Sequence, residues 1–157
     1  MLLNKLKSSF PDIVFEPGKT FVWSPKSGHV IYKDDLSQDD EVASWSLLHE
    51  VGHALLGHNN YESDFQLLTL EVAAWDKAKE LAKQFGYKID SEHIEDCLDT
   101  YREWLYQRST CPHCTSASLQ QDNHTYSCFN CGTVWHVSSS RMCRPYRRTH
   151  TPLRPVA

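Results

Sequence analysis

Leu48-His49-Glu50-Val51-Gly52-His53-Ala54-Leu55-Leu56-Gly57-His58 is the stretch on which the reading of this chain turns. On an α-helix, side chains four residues apart project from one face, so His49 and His53 can present two imidazole nitrogens to a single metal ion. Glu50 is rotated by about 100° from His49, which sets its carboxylate beside such an ion. The surrounding residues favour this helix. Ser37 is the expected N-cap, Asp39, Asp40 and Glu41 suit the first turn, and Gly57 is the expected stop after Leu56. Val42, Trp45, Leu48, Val51, Leu55 and Leu56 leave little of the circumference polar, so the helix is expected to be buried, where unpartnered imidazoles are costly.

A catalytic zinc ion usually takes three protein ligands and keeps one position open, so a third donor is required. Glu71 is the preferred candidate, 18 residues beyond His53 on the next expected helix. Ala74 and Ala78 share its face, and such small side chains would let the two helices approach closely. His58 is the alternative, reachable through a turn at Gly57. The long metzincin motif would need glycine and histidine at the positions held here by Leu56 and Asn59. Glu62 and Asp64 are weaker candidates, better suited to a loop and a helix cap. Zinc in this setting would lower the pKa of a bound water from about 16 to about 7, and Glu50 would act as the base that moves its proton. His93, Tyr87 and Tyr61 are candidate oxyanion donors among which the sequence does not choose.

Outward from the motif, Phe21-Val22-Trp23 and His29-Val30-Ile31-Tyr32 flank the turn-forming Ser24-Pro25-Lys26-Ser27-Gly28 and predict a β-hairpin. A second helix is expected from Asp64 to Phe85, ending at Gly86. A third is expected from Ser91 to Gln107, capped by Asp90 or Ser91, with Ile94, Leu98, Tyr101 and Leu105 as its apolar stripe. Cys97 lies beside that stripe and reads as a small core residue.

Beyond Ser109 the pattern changes to short polar and aromatic segments punctuated by cysteine. Cys111-Pro112-His113-Cys114 and Cys128-Phe129-Asn130-Cys131, separated by 13 residues, form two knuckles able to close a tetrahedral site of four thiolates. Four thiolates leave no open position, so this zinc is expected to be structural. Tyr126 and Trp135 are candidates either for the small core of the module or for a surface that stacks on a nucleic acid or binds a partner.

The chain has 157 residues, 40% hydrophobic and 23% charged, enough for one core and a small stapled module. No stretch is apolar enough to span a bilayer and the N-terminus lacks a signal-peptide run, which with the Cys-x-x-Cys pairs points to a cytoplasmic protein without a membrane partner. Residues 138–157 hold Arg141, Arg144, Arg147, Arg148 and Arg154 and no acid, leaving 11 basic against 20 acidic residues elsewhere. This basic segment, which also holds Cys143, is expected to be a flexible tail that adds phosphate affinity. The expected organisation is α+β, with a catalytic domain over 1–108, a zinc ribbon over 109–137 and the tail over 138–157.

The stretch Leu48–His58 followed by Glu71-x-x-Ala74-x-x-x-Ala78 resembles the ImmA/IrrE-type metallopeptidases over about residues 20 to 85. That resemblance implies a minimal zincin fold, a small antiparallel sheet packed with the motif helix and two further helices. It also implies zinc held by His49, His53 and Glu71, and Glu50 as the catalytic base. Members often act on regulatory DNA-binding proteins, so it further implies an intracellular endopeptidase with a protein substrate. The chain departs from the family pattern at Ala73 and Lys77, where an acid and a phenylalanine are common. A second resemblance is to SprT-like proteases, which also join the motif to a zinc ribbon and act near DNA. Their third ligand is a histidine followed by glycine, a pair not found downstream of His53. The competing expectation is a non-enzymatic adaptor, in which the ribbon and tail recruit protein or nucleic acid on a degenerate scaffold.

Overall fold

A computed structural model describes residues 1–37, 40–139 and 147–149, with the backbone alone for Arg147 and Arg148. It has the α+β composition expected, with four helices and two small sheets among the described residues. The chain divides into two compact units, one of Met1–Asn60 with Thr69–Asp96, the other of Tyr61–Leu68 with the chain from Cys97 onward.

The first unit opens with α1 (Leu2–Ser9), whose Leu2, Leu3 and Leu6 are buried. A three-stranded sheet follows, ordered β1 (Val14–Gly18), β3 (His29–Lys33), β2 (Val22–Ser24). The β2–β3 hairpin is antiparallel as expected, with Trp23 opposite Val30, and β2 is left at one edge of the sheet. β1 pairs in parallel with β3, which makes the sheet mixed rather than purely antiparallel. Neither α1 nor β1 was expected from the sequence. Pro11 and Pro17 interrupt the N-terminal pattern, and an edge strand such as β1 tolerates proline because its outward N–H groups go unused.

The motif helix α2 spans Glu41–Leu55, with Asp40 as the N-cap, its carboxylate accepting from the Ala43 amide at 2.9 Å. The expected cap, Ser37, stands too far upstream, and Asp39 lies outside the described residues. The buried face is Ala43, Ser44, Leu47, Leu48, Val51 and Gly52 together with the two histidines. Val42, Leu55 and Leu56 are exposed, so the helix is buried on one side rather than all round. Gly57, at φ 64°, ends it in the left-handed conformation that glycine adopts without strain.

Helix α3 (Asp64–Phe85) has the bounds expected, and α4 (Ser91–Ser109) extends two residues past Gln107, with the Asp90 carboxylate accepting from the Glu92 amide. Within the first unit, α3 buries Glu71, Ala74, Trp75, Ala78, Leu81 and Ala82. A Cβ on Gly52 would stand 2.6 Å from the Ala74 carbonyl oxygen, so α2 and α3 approach through glycine and alanine. That close approach sets how far the His49 and His53 face of α2 stands from the Glu71 face of α3.

The second unit contains an antiparallel sheet ordered β4 (Leu119–Gln120), β5 (Thr125–Ser127), β6 (Val134–Val137), β7 (Arg147–Thr149). Its boundary departs from a cut at residue 109, because the start of α3 and the end of α4 carry buried polar partners of the cysteine module. Arg108, 1% exposed, donates from Nε to Asp64 Oδ2 at 2.7 Å, and the Tyr126 hydroxyl donates to the same oxygen at 2.7 Å. Trp135 donates its indole N–H to the Arg108 carbonyl, and Arg108 also reaches the Ser138 carbonyl. Three residues of the segment expected to be a flexible tail form β7, their backbone groups meeting the edge of β6. Arg141, Cys143, Arg144 and Arg154 lie outside the described residues.

Candidate metal centres

The sequence brings His49 and His53 to one face of α2 and Glu71 to the opposing face of α3, and the three are 8%, 8% and 6% exposed. The two histidine Nε2 atoms are 3.1 Å apart, and Glu71 Oε2 lies 3.1 Å from that of His49 and 3.6 Å from that of His53. A tetrahedral zinc ion with bonds of ~2.0–2.1 Å would hold its donors about 3.3–3.4 Å apart. The triangle already has that size, and a buried carboxylate facing two imidazole nitrogens is a donor set that suits zinc. Burial would raise the Glu71 carboxyl, but hydrogen bonds and charge from His49 and His53 outweigh it and hold it down at about 2. The ionised form is therefore the one present at neutral pH.

The two imidazoles are supported differently. The His49 ring packs at 4.3 Å between centroids on Trp75, one turn beyond Glu71, and its buried Nδ1 has no hydrogen-bond partner among the described residues. The His53 Nδ1 instead meets the Nδ1 of His58 at 2.8 Å. His58, the alternative ligand, thus stands behind His53 rather than within the triangle. Burial lowers its pKa, as does the neighbouring His53, with Glu71 opposing.

Glu50 is half-buried and accepts a hydrogen bond at 2.6 Å from the backbone N–H of Trp23 on the edge strand β2. The Trp23 indole N–H donates at 2.7 Å to the His58 carbonyl. The sequence marks Trp23 only as part of the hairpin. Its aromatic ring at the strand's edge is the one sequence signal that could have marked it.

Of the candidate oxyanion donors, His93 is packed between Trp45 and Trp75, with ring centroids at 4.9 and 5.7 Å. Tyr87 lies against the Lys5 ammonium, and Tyr61 belongs to the second unit. Glu62 is exposed, and Asp64 is paired with Arg108 rather than aimed at a metal.

In the second unit Cys111, Cys114, Cys128 and Cys131 converge, with Sγ atoms 3.6 Å apart for Cys111 and Cys131 and 3.5 Å apart for Cys114 and Cys128. These separations are far longer than a disulfide bond and near the ~3.8 Å that tetrahedral zinc–thiolate bonds of about 2.3 Å impose. Hydrogen bonds from Ser116 and Asn130 bring the Cys114 thiol down to about 5, toward the thiolate that a metal requires.

Tyr126 and Trp135 are 2% and 0% exposed and stack on each other at 5.7 Å. They form the core of the module, and a nucleic-acid stacking surface would need other rings. No helix among the described residues is long and apolar enough to cross a membrane.

Comparison with protein-family models, curated proteins and solved structures finds no match. Two groups compatible with zinc, His49–His53–Glu71 and the four cysteines, are therefore what the chain's own geometry provides.

Proposed function

We propose that this chain is a cytoplasmic zinc-dependent endopeptidase of the ImmA/IrrE type that hydrolyses peptide bonds of a protein substrate, with a zinc ribbon as a second, structural metal module. The observation that carries the reading is the convergence of His49 Nε2, His53 Nε2 and Glu71 Oε2 at zinc-ligand spacing, one residue along the helix from the Glu50 carboxylate.

When bound, zinc would supply Lewis-acid polarisation of the scissile carbonyl and make water acidic enough to ionise near neutral pH. Glu50 takes the proton of the attacking water and returns it to the leaving amine. The Trp23 amide fixes one oxygen of that carboxylate, leaving the other for the proton. Trp75 limits rotation of His49 by packing on its ring. Burial of all three ligands excludes bulk water and strengthens every charge interaction in the site.

The test compares new protein N-termini in cells expressing the unaltered chain with those in cells expressing Glu50→Gln, alongside the zinc content of both purified proteins. The expected result is a set of cleavage products that vanish in Glu50→Gln while its zinc is retained. Cleavage undiminished by the substitution, or a Glu50→Gln protein without zinc at this site, contradicts the assignment.

A further inference from the structure

We propose that His58 is a positioning residue: it accepts the Nδ1 proton of His53, fixing that ring's tautomer for metal binding, and is itself held in place by Trp23. The inference rests on the zinc site proposed above. An imidazole that gives Nε2 to a metal carries its proton on Nδ1. In His53 that atom meets His58 Nδ1 at 2.8 Å, so His58 must accept there and carry its own proton on Nε2. One ring selects the tautomer of the other.

The placement of His58 is fixed from three sides. Gly57, at φ 64°, turns the chain back after α2. The His58 amide donates to the His53 carbonyl at 3.1 Å, which ties the two residues through the backbone as well as through their rings. The His58 carbonyl accepts the Trp23 indole N–H at 2.7 Å. Because the Trp23 backbone amide also holds Glu50, one residue of the edge strand orders both the base and the support of a ligand. His49 lacks the corresponding partner, since its Nδ1 is buried without a hydrogen bond among the described residues. The polar support of the imidazole pair therefore falls on His58, and outer partners of ligating histidines typically govern metal affinity by about 10–100-fold.

The test measures zinc stoichiometry and affinity in the full chain by competition with a chelator of known affinity. It uses the unaltered protein, His58→Ala, His58→Gln, Trp23→Phe and Glu71→Ala. Glutamine offers an amide oxygen that can accept the His53 proton, whereas phenylalanine keeps an aromatic ring at position 23 and removes the indole N–H. The expected result is two zincs per chain, with the non-cysteine site weakened about 10–100-fold in His58→Ala, largely restored in His58→Gln, and weakened to a smaller degree in Trp23→Phe.

A His58→Ala affinity within twofold of the original overturns the proposal while leaving the zinc site standing. So does a second zinc that is lost in His58→Ala but kept in Glu71→Ala, which would make His58 a ligand. A single zinc in the unaltered protein, retained without Glu71, removes the zinc site and the positioning role together. His58→Leu, which fills the space of the imidazole without offering an acceptor, guards against a cavity effect in the alanine variant: its affinity stays as low as that of His58→Ala if the hydrogen bond matters, and a leucine variant that recovers the affinity overturns the proposal.

Discussion

Gly52→Ala tests the geometry of the proposed metal-binding face without touching His49, His53 or Glu71. The new Cβ would stand 2.6 Å from the Ala74 carbonyl oxygen, against a lower limit of 3.4 Å for ordinary contact, an overlap of about 0.8 Å. The obstructing atom is backbone, one turn from Glu71, so it cannot swing aside as a flexible side chain would. Overpacking of this kind costs about 1–3 kcal/mol, set against a helix-propensity gain of about 1 kcal/mol from replacing glycine. If α3 moves away to relieve the overlap, Glu71 moves with it. Zinc sites accept ligand distances within about 0.2 Å of the ideal, so a displacement several times larger disables the third ligand. The expected outcome is a net loss of up to roughly 2 kcal/mol in urea denaturation of the metal-free chain, together with loss of the second zinc measured by metal analysis. Val42→Ala, at an exposed position of the same helix, serves as the control and should stay within about 0.5 kcal/mol. A Gly52→Ala protein of full stability and full zinc content would refute the close packing of α2 against α3.

Further outcomes follow from the same structure. Arg108→Met should destabilise the second unit by about 3–5 kcal/mol, because it leaves the Asp64 carboxylate buried without its cation, and adding Asp64→Leu should recover much of the loss in denaturant titrations. In the metal-free chain Glu71 is held at about 2 against an ordinary 4.5, so it stabilises the fold fully above pH 4.5 and progressively less as the pH falls toward 2; Glu71→Gln should flatten that part of an acid-unfolding curve. Replacing Cys111 and Cys114 together by serine should remove one zinc and leave the second unit open to proteolysis, while the zinc at the histidines persists.

The parts of the fold legible in the sequence were those carried by period and punctuation. The bounds of α3 follow from its apolar repeat and from Gly86, which takes φ 80° after the helix. The β2–β3 hairpin follows from Pro25 and Gly28 between two apolar runs. α1 was not legible because eight residues with three leucines are marginal alone and take their stability from burial of Leu2, Leu3 and Leu6.

The convergence of His49, His53 and Glu71 into one buried group could be read because helical spacing fixes where they project. The roles of His58 and Trp23 depend on a turn and a strand edge whose geometry no local pattern encodes. The buried Arg108 did leave a trace, since it continues the stripe Ile94, Leu98, Tyr101, Leu105 by one more helical step. A charge on an apolar stripe calls for a partner, and the partner is Asp64, which the sequence offered only as a cap or a weak ligand.

Zinc content per chain bears most directly on the central claim, measured in the purified protein beside Glu71→Ala and the variant with Cys111 and Cys114 both changed to serine. Two zincs are expected in the unaltered chain and about one in each variant, the survivor being the cysteine site in the first and the histidine site in the second. One zinc in the unaltered chain, indifferent to Glu71→Ala and lost only with the cysteines, would contradict that claim.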